Sequence, residues 1–259
     1  MKIRDKVVVV TGGGNGIGAA MARRFAAEGA RAVVVADLDG TAASKVASEI
    51  GGMGMAVNVA REQELAELVA STVATHGHID LFCSNAGVSI GNGLESSDAD
   101  WEKAWSVNLM AHVYAARAVV PHMLERGEGY LLQTASAAGL LSISDASYAV
   151  TKHGAVAFAE WLSITYGDRG IKVSCFCPMG VRTNMLLGSV SEVDQPALLA
   201  AAVEPADAAE AIVQGIDAER FLILTHPEVL EYMRRKGADY DRWLKGMRRY
   251  QQQPPSTKS

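Results

Sequence analysis

A valine run followed by a glycine-rich turn, near the start of the chain, constrains the fold more than any other segment. Val7 to Val10 leads directly into TGGGNGIG at residues 11–18. Beyond these glycines, Ile17, Met21 and Phe25 recur at every fourth position, the spacing of a helix that packs one face on a sheet. The segment therefore predicts a buried strand, a tight turn and a helix, which together begin a βαβ unit.

The same alternation continues to about residue 225. Short β-branched runs predict strands at Val7–Val10, Ala32–Ala36, Met55–Val59, Ile79–Ser84, Tyr130–Thr134, Lys172–Cys177 and Phe221–Leu224. Further helices are predicted at Thr41–Ile50, Glu62–Thr75, Asp100–Glu125, Tyr148–Tyr166, Pro205–Ile216 and Pro227–Arg249. Because strands joined by crossover helices form parallel sheets, we predict an α/β fold, a single doubly wound Rossmann domain with a seven-stranded parallel sheet and helices on both faces.

Composition agrees with one globular domain. Of the 259 residues, 49% are hydrophobic and 20% charged, so the chain can bury a substantial core and does not read as disordered. We place the domain at residues 1–250, including a loop at about 183–204 and a C-terminal helix at about 227–249. Residues 251–259 are polar and contain prolines, so they are predicted to be a flexible tail.

Charge and residue content argue against several classes of partner. The formal net charge of -5 gives no attraction to nucleic acid, and basic residues after His226 alternate with acidic ones, as on a solvated helix face. No stretch approaches the roughly 18 apolar residues that span a membrane, and the first apolar run is too short for a signal peptide, so we expect a cytoplasmic protein with no membrane partner. Three cysteines make no disulfide framework and are expected in the core, and the six histidines show no ligand spacing, so no metal is predicted.

The glycine-rich turn has the features of a pyrophosphate site. Glycine permits the sharp turn and a close approach of backbone to phosphate, and the free amides at the helix N-terminus face an anion. The candidate cofactor contacts are Gly12, Gly14, Asn15, Gly16, Ile17 and Gly18. A glycine cluster alone could be a simple tight turn, but its place between a strand and an amphipathic helix favours a dinucleotide.

An acidic residue at the end of the second predicted strand selects between cofactors. Asp37 lies 19 residues after Gly18, where a carboxylate can accept hydrogen bonds from the adenosine ribose hydroxyls. Two charges about 4 Å apart interact by about 4 kcal/mol at an effective dielectric near 20, so a 2′-phosphate beside this carboxylate would be strongly disfavoured. We predict NAD rather than NADP, although Asp37 could instead start a turn with Asp39 and Gly40.

Three polar residues indicate the chemistry. Tyr148 and Lys152 are one helical turn apart and share a face, and Ser136 follows the fifth predicted strand. The carboxyl edge of such a sheet is where ligands bind. Each residue alone could lie on the surface or cap a turn, but together, in a chain with a dinucleotide turn, they indicate catalysis.

With these motifs the sequence resembles the short-chain dehydrogenase/reductase (SDR) family over nearly the whole chain. The matching pieces are the glycine pattern, Asn85-Ala86-Gly87 after the fourth strand, Asn108 in the long helix, Ser136 and Tyr148-x-x-x-Lys152. The resemblance implies an NAD-dependent oxidoreductase that moves a hydride between the nicotinamide and a secondary alcohol or ketone.

The resemblance also implies a role for each residue. Tyr148 would exchange the proton with the substrate, Lys152 would bind the nicotinamide ribose and lower the tyrosine pKa, Ser136 would hold the substrate oxygen, and Asn108 would keep a water in a proton relay. A tyrosine has an ordinary pKa of about 10, so a base useful near neutrality needs it lowered by roughly 2 to 3 units. A nearby ammonium and the positive nicotinamide ring could together do this. Further cofactor contacts implied are Asn58, Val59, Asn85, Ala86, Gly87, Val181 and Thr183.

The sequence departs from the family pattern at three places. Asn58-Val59 replaces the common aspartate-valine at the adenine, where the amide oxygen could still accept from the adenine amino group. Pro178-Met179-Gly180 displaces the glycine that usually follows this proline by one position, which affects the backbone before Val181 and Thr183. The segment between Ser136 and Tyr148 is one residue shorter than the usual spacing.

Substrate selection is expected in three segments that carry apolar residues. These residues are Val88, Ile90, Leu140, Leu141, Ile143, Met185, Leu186, Leu187, Leu198 and Leu199. They favour a hydrophobic substrate, but the same leucines could simply pack helices. A non-catalytic NAD-binding regulator and an NAD-dependent epimerase are the alternative functions. The family resemblance also suggests a homodimer or homotetramer formed through the Asp100–Glu125 and Tyr148–Tyr166 helices.

Overall fold

The seven-stranded parallel sheet is confirmed. The computed structural model describes residues 1–188 and 199–252. The strands are β1 Val7–Thr11, β2 Ala32–Asp37, β3 Met53–Ala56, β4 Leu81–Ser84, β5 Gly129–Thr134, β6 Ile171–Phe176 and β7 Leu222–Ile223. They pair in the order β3-β2-β1-β4-β5-β6-β7, and every pairing is parallel. This is the doubly wound Rossmann order, in which the strand order reverses between β1 and β4 while all strands stay parallel.

Helices cover both faces of the sheet. They are α1 Gly16–Ala27, α2 Gly40–Ile50, α3 Glu62–His76, α4 Asp98–Trp105, α5 Ala111–Arg126, α6 Ala138–Leu141, α7 Ala146–Tyr166, α8 Asn184–Gly188, α9 Pro205–Asp217, α10 Glu228–Ala238 and α11 Tyr240–Gln252. Two 3-10 turns, Gly93–Glu95 and Gly167–Arg169, and a π-helical turn, Ser106–Met110, complete the described elements. Within the described residues, no helix is both long and apolar enough to cross a bilayer.

The valine run of β1 explains why helices pack on both faces of the sheet. Successive side chains of a strand point to opposite faces, and all four valines are fully buried. Val9 belongs to the core cluster under α3, α5 and α7, whereas Val8 and Val10 belong to the one under α1, α2 and α9. A strand buried on both faces therefore needs a continuous apolar run rather than alternation.

Three predicted element boundaries were wrong. The third strand is Met53–Ala56 rather than Met55–Val59, because its register pairs Met53 with Val34 and the chain leaves the sheet after Ala56. The long helix is not a single α-helix: α4 is followed by the π-helical turn and then by α5. The C-terminal helix is broken between α10 and α11 at Asp239, whose backbone is extended (φ -156, ψ 95).

The basic residues after His226 are largely exposed, as expected for a solvated face, but the apolar face of the same helices packs on the core. Val229 is fully buried, and Tyr232, Met233 and Trp243 pack against the core cluster that contains α6. Lys236 Nζ donates to the Leu140 carbonyl oxygen at 2.7 Å. Helix α11 continues to Gln252, so the predicted tail begins later than residue 251, and residues 253–259 lie outside the described part.

A buried carboxylate anchors the amino edge of the sheet. Asp80, immediately before β4, is 4% exposed and accepts hydrogen bonds from Val7 N–H at 2.8 Å and Arg126 at 3.0 Å. Lys6 and His78 lie at 3.5 and 3.1 Å from its oxygens. Burial alone would raise the pKa of Asp80, but the Val7 hydrogen bond and the neighbouring cations hold this pKa below its ordinary value.

Replacing Asp80 with alanine is expected to lower the free energy of unfolding by about 3 kcal/mol, because the Arg126 guanidinium and the Val7 N–H lose a buried acceptor. Urea unfolding at pH 7, followed by circular dichroism, measures the change. Glu128 contacts the same guanidinium but is 63% exposed, so Glu128→Ala should change the free energy by less than about 0.5 kcal/mol. Equal effects of the two variants would contradict the assignment.

The lowered pKa of Asp80 also predicts how the stability of the fold depends on pH. A carboxyl group with a lower pKa in the folded state stabilises the fold above the unfolded pKa of about 3.9, and this contribution disappears as the pH falls through the folded value. The stability of Asp80→Asn should therefore fall less steeply below pH 4 than that of the unmodified protein.

Candidate active site

The glycine turn after β1 lies against the segment that follows β4. Gly12 has φ +63, and a Cβ atom placed on it would lie 2.8 Å from the Ala86 Cα. A Cβ on Gly18 would overlap the carbonyl oxygen of Gly12. Side chains at these two positions cannot be accommodated, as the dinucleotide pattern requires.

Asn85 holds this turn in place. Its backbone N–H donates to Thr11 Oγ1 at 3.0 Å, and its Nδ2 donates to the Thr11 carbonyl at 3.0 Å and the Gly12 carbonyl at 3.4 Å. Ala86 N–H also donates to Thr11 Oγ1, at 3.3 Å. The side chain of Asn85 therefore joins the ends of β1 and β4 and shapes the turn.

The first amides of α1 fit an anion. Helix α1 begins at Gly16, and Asn15 at its N-cap makes no side-chain capping bond. The first helix amides have no partner within their own helix, so Gly16, Ile17 and Gly18 present N–H groups at the positive end of the helix dipole. The residues present fit a pyrophosphate group at this position.

Asp37 lies directly beside the turn. Its Oδ2 accepts the Gly14 N–H at 2.9 Å, and its Oδ1 accepts the Asp39 N–H at 3.0 Å. Asp39, rather than Asp37, caps α2, since its Oδ1 accepts from Thr41 and Ala42. The carboxylate of Asp37 is thus fixed at the carboxyl end of β2 and remains partly exposed.

Asn58 and Val59 follow β3 at the same edge of the sheet. The Asn58 N–H donates to Glu64 at 2.6 Å, and its side-chain oxygen accepts the Ala60 N–H at 3.0 Å. The amide oxygen expected to meet adenine is therefore already engaged in a local turn, although an amide oxygen has a second lone pair. Val59 is 8% exposed and lies on the core side.

Tyr148, Ser136 and Lys152 come together where β5 and α7 meet. The Lys152 ammonium lies 5.8 Å from the centre of the Tyr148 ring. It is 2% exposed and donates to the Thr134 carbonyl at 3.0 Å. Ser136 is 8% exposed, and its Oγ accepts the Ala138 N–H at 3.1 Å.

Burial dominates the protonation of this group on the chain alone. Burial raises the pKa of Tyr148 above its ordinary value, interaction with the Ser136 hydroxyl acts in the opposite direction, and the nearby Cys177 thiol raises it further. Lys152 donates to a backbone carbonyl, and its burial lowers its own pKa to about 8. The chain alone therefore does not lower the tyrosine pKa.

Asn108 occupies the π-helical turn between α4 and α5. It is fully buried, its Oδ1 accepts the Val88 N–H at 2.8 Å, and its Nδ2 donates to the Val88 carbonyl at 2.9 Å and Thr151 Oγ1 at 3.2 Å. The side chain thus clamps the chain after β4, and both hydrogens of its amide nitrogen are engaged, which leaves a lone pair of Oδ1 and the backbone for the expected water. A π-turn within an α-helix frequently marks a functional position.

Gly87 connects the two halves of the site. A Cβ atom on this glycine would lie 3.3 Å from Asn108 Oδ1 and 3.4 Å from Lys152 Nζ. The Asn85-Ala86-Gly87 segment therefore touches the glycine turn at one end and the Lys152 ammonium at the other. The predicted cofactor and catalytic residues share one edge of the sheet.

The backbone after β6 faces the glycine turn. A Cβ atom on Gly16, which has φ +53, would lie 3.1 Å from Thr183 Cγ2. Val181 is 4% exposed and forms a parallel bridge with Val203. Despite the displaced glycine, Val181 and Thr183 remain at the same edge as the other predicted cofactor contacts.

Sequence reasoning missed a clamp formed by Asp145. Its carboxylate accepts from the Ser147 N–H at 3.0 Å and the Gly93 N–H at 2.7 Å. The single hydroxyl hydrogen of Ser147 is shared between the Asp145 carboxylate at 3.0 Å and the Ile90 carbonyl at 2.7 Å. Burial raises the pKa of Asp145, but these hydrogen bonds outweigh it and lower this pKa. Aspartate directly before a helix is an N-cap signal, which could have identified Asp145.

The shortened segment before Tyr148 has strained backbone. Ser142 and Ser144 have φ of 56 and 74, a left-handed region that favours glycine. Such strain persists only where surrounding contacts hold it, and the Asp145 clamp lies next to it. The missing residue is therefore accommodated by backbone conformation, without displacing Tyr148 from α7.

A buried polar pair beneath Lys152 was also missed. His112 Nδ1 and Gln133 Oε1 lie 2.5 Å apart, and each residue is 1% exposed. Burial, followed by the Lys152 ammonium, lowers the pKa of His112 to about 4, so the ring is neutral. Nothing in the local sequence distinguishes this histidine from a surface one, because its burial depends on the packing of α5 on β5.

The apolar residues expected to select substrate differ in how far they are buried. Leu140 and Leu141 are 8% and 3% exposed and belong to the core, so for them the packing interpretation is correct. Met185 and Leu187 on α8 are 40% and 44% exposed. Leu198 lies outside the described residues.

Within residues 1–188 and 199–252, no group of three or more His, Cys, Asp or Glu could hold a metal ion. The three cysteines are buried and free, but they do not form one cluster. Cys175 and Cys177, with sulfurs 3.6 Å apart, face one core layer and Cys83 the other.

Comparison with known proteins identifies the family of this chain. The family model described as short chain dehydrogenase matches residues 6–193. A meso-2,3-butanediol dehydrogenase from Serratia marcescens is 37% identical over 218 residues, covering 81% of this chain and 86% of that protein. A cyclohexanol dehydrogenase from Acinetobacter sp. (strain SE19) is 34% identical over 193 residues, covering 71% and 76%.

A solved structure gives the same result over the full length. A short chain dehydrogenase/reductase from Burkholderia phymatum, in complex with NAD, is 27% identical with a TM-score of 0.85. The match covers 100% of this chain and 99% of that one. The glycine turn, the Tyr148 and Lys152 pair and these likenesses lead to one conclusion: the chain belongs to the short-chain dehydrogenase/reductase family.

Proposed function

We propose that this protein is an NAD-dependent oxidoreductase that interconverts a secondary alcohol and a ketone, with Tyr148 as the acid/base. The observation that carries the proposal is the position of Gly87, next to both the Lys152 ammonium and the Asn108 amide, at the end of the segment that supports the glycine turn. The acid/base group and the dinucleotide site therefore adjoin. A bound nicotinamide would accept or supply the hydride.

The chain supplies the binding groups for the cofactor. The α1 amides and the turn from Gly12 to Gly18 would hold the pyrophosphate, and Asp37 would accept from the ribose hydroxyls. Asn58 and Val59 would border the adenine, and Val181 and Thr183 the nicotinamide carboxamide. Lys152 would hold the nicotinamide ribose with an ammonium whose alternative partner is the Thr134 carbonyl.

In the proposed reaction, proton transfer to and from the substrate depends on Tyr148, Ser136 and Lys152. In the reductive direction the phenol donates its proton to the substrate oxygen, and in the oxidative direction the phenolate takes it back. Ser136 Oγ orients the substrate oxygen toward the phenol. The raised pKa of Tyr148 favours the protonated form at neutral pH, which suits reduction.

The substrate is inferred to be a hydrophobic secondary alcohol or ketone. The relatives named for butanediol and cyclohexanol support an alcohol of modest size, and exposed Met185 and Leu187 on α8 supply apolar surface. Each buried CH₂ group contributes about 0.8 kcal/mol, so a longer alkyl chain or ring should improve kcat/KM.

Two other functions remain as alternatives. A non-catalytic NAD-binding regulator would need neither the buried Lys152 nor Ser136 beside Tyr148. An NAD-dependent epimerase would use the same residues without releasing NADH. A panel of secondary alcohols with NAD and NADP, followed by absorbance of the reduced nicotinamide and product analysis, separates these functions.

Replacing Tyr148 with phenylalanine should reduce kcat by about 10³-fold, because the proton donor and acceptor is lost while the ring remains. The dissociation constant of NADH, measured by fluorescence, should stay within a few-fold. Tyr166→Phe, which removes a hydroxyl from the other end of α7, is the matched control and should keep full activity. Comparable activity of Tyr148→Phe and the unmodified protein would exclude this mechanism.

Because the pKa of Tyr148 is raised, we expect the rates of oxidation and reduction to depend on pH. Alcohol oxidation requires the phenolate, so its rate should rise as the pH increases from 7 toward 10. Ketone reduction requires the phenol, so its rate should fall only in the alkaline range. An oxidation rate independent of pH would show that another group takes the proton.

Asp37→Ser should lower the preference for NAD over NADP, measured as the ratio of kcat/KM values, by about 10²- to 10³-fold. The reason is the loss of the carboxylate that would repel a 2′-phosphate. Asp39→Ser removes a neighbouring carboxylate from the α2 cap and should leave the ratio unchanged. An unmodified protein that prefers NADP would refute the assignment.

We also infer a homodimer or homotetramer formed through α4, α5 and α7. Helix α4 carries Trp105 and α7 carries Val150, Trp161 and Ile164, which are 47%, 49%, 51% and 84% exposed. Apolar surface of this kind marks protein interfaces.

Light scattering should give two or four times the mass of the chain, and Ile164→Arg should reduce it, since a charge is costly inside an apolar interface. Leu94, 99% exposed on the Gly93–Glu95 turn, provides the control: Leu94→Arg should leave the mass unchanged. A monomeric unmodified protein would contradict the inference.

A further inference from the structure

The hydrogen-bond ladder between β6 and β7 ends with a side-chain acceptor in place of a backbone carbonyl. Cys175 N–H donates to the Phe221 carbonyl at 2.6 Å, and Cys177 N–H donates to the Ile223 carbonyl at 2.8 Å. Continuing this register, Met179 N–H would meet the Thr225 carbonyl. It donates instead to the Thr225 side chain, to Oγ1 at 3.2 Å. A hydroxyl replaces the backbone acceptor at the point where both strands leave the sheet.

The Thr225 hydroxyl continues into a directed chain of hydrogen bonds. Its Oγ1 lies 2.8 Å from His226 Nδ1, and His226 Nε2 lies 2.9 Å from the Ala201 carbonyl oxygen. A carbonyl only accepts, so Nε2 carries the hydrogen, and in the neutral ring Nδ1 is an acceptor. Thr225 therefore donates to His226 while its oxygen accepts from Met179.

This relay joins the two sides of the bridge between Val181 and Val203. Arg182 N–H donates to the Val203 carbonyl at 2.9 Å, and Val203 N–H donates to the Gly180 carbonyl at 3.0 Å. Met179 and Ala201, the two ends of the relay, each lie two residues before the bridged pair. The relay and the bridge are therefore successive ties between the same two segments.

Burial makes the relay hard to replace by water. His226 is 8% exposed, and both its ring nitrogens are used. Loss of one partner would leave a backbone N–H or carbonyl unsatisfied in a shielded position, which costs more than the net value of one hydrogen bond. The N–H of Met179 is one of these groups, and the Thr225 hydroxyl oxygen accepts it.

We propose that Thr225 and His226 are positioning residues of the active site, which hold the backbone at Met179–Thr183 in fixed register with Ala201–Val203. They touch neither the reacting atoms nor the acid/base group. The part of this proposal that concerns turnover rests on the proposed function, since Val181 and Thr183 are its nicotinamide contacts. The part that concerns backbone order does not.

Hydrogen exchange of the full-length protein, read by mass spectrometry, tests backbone order. In Thr225→Val, which has nearly the same shape, the amides at 179–183 and 202–204 should exchange about tenfold faster, because roughly 1.4 kcal/mol of local stability is lost. Amides in α3 should be unchanged. Thr225→Ser retains the hydroxyl and should exchange like the unmodified protein.

The histidine is tested in the same way. His226→Leu should accelerate exchange at 202–204, and His226→Gln should largely restore protection, because the glutamine amide can donate to the Ala201 carbonyl. If His226→Leu does not fold, the matched variants Thr225→Val and Thr225→Ser still test the proposal. Equal exchange in those two variants would overturn the proposal.

Kinetics then connect the relay to the site. Thr225→Val and His226→Leu should raise KM for NAD or the alcohol about five- to tenfold with kcat within about twofold, as expected when binding geometry is loosened and the Tyr148 chemistry is retained. Thr225→Ser should behave normally. Faster exchange with unchanged KM would overturn the positioning role. If the unmodified protein oxidises no alcohol, the proposed function is refuted, and the exchange experiment alone then tests whether Thr225 and His226 hold the backbone register.

Discussion

The close approach of the β1 and β4 ends is the constraint on which the site depends. Gly12 and Gly18 leave no space for a Cβ atom, and Asn85 uses its amide to hold the carbonyls of Thr11 and Gly12. This approach exposes the first amides of α1, and it also directs the chain through Gly87 toward Asn108 and Lys152. The proposed cofactor contacts and the proposed acid/base group are thus held by one set of backbone contacts at the point where the strand order reverses.

Lys152 shows that the site is not arranged for stability. The lowering of its pKa from 10.5 to about 8 corresponds to about 3 kcal/mol that disfavours the buried ammonium. Its ammonium donates to the Thr134 carbonyl, and the neutral His112 lies near it, as do the Tyr148 ring and Gly87. A charge retained in such a position indicates a role toward a ligand, which agrees with the proposed contact to a ribose.

Much of the fold could be predicted because its signals are local. The β1 valines, the glycine turn and the stripe on α1 each depend on nearby residues, and the order of strands follows from the crossover rule. Two of the boundaries that were wrong involve tertiary contacts. The register of β3 is set by its pairing with β2, and the π-turn at Asn108 makes bonds to Val88 and Thr151. The cap bonds of Asp145 and Asp239 are local and could have been predicted, whereas the contacts of Asp145 to Gly93 and of His226 to Ala201 join segments distant in sequence.

The bridge between Val181 and Val203 has a consequence for how such a protein can diversify. It fixes two points of the chain at hydrogen-bond distance, so the residues between them form an insert whose ends already meet. Doubling the length of an insert adds only about 0.6 kcal/mol of closure cost, provided that its ends stay together. A change of length between these two points therefore leaves the register of Val181 and Val203 intact.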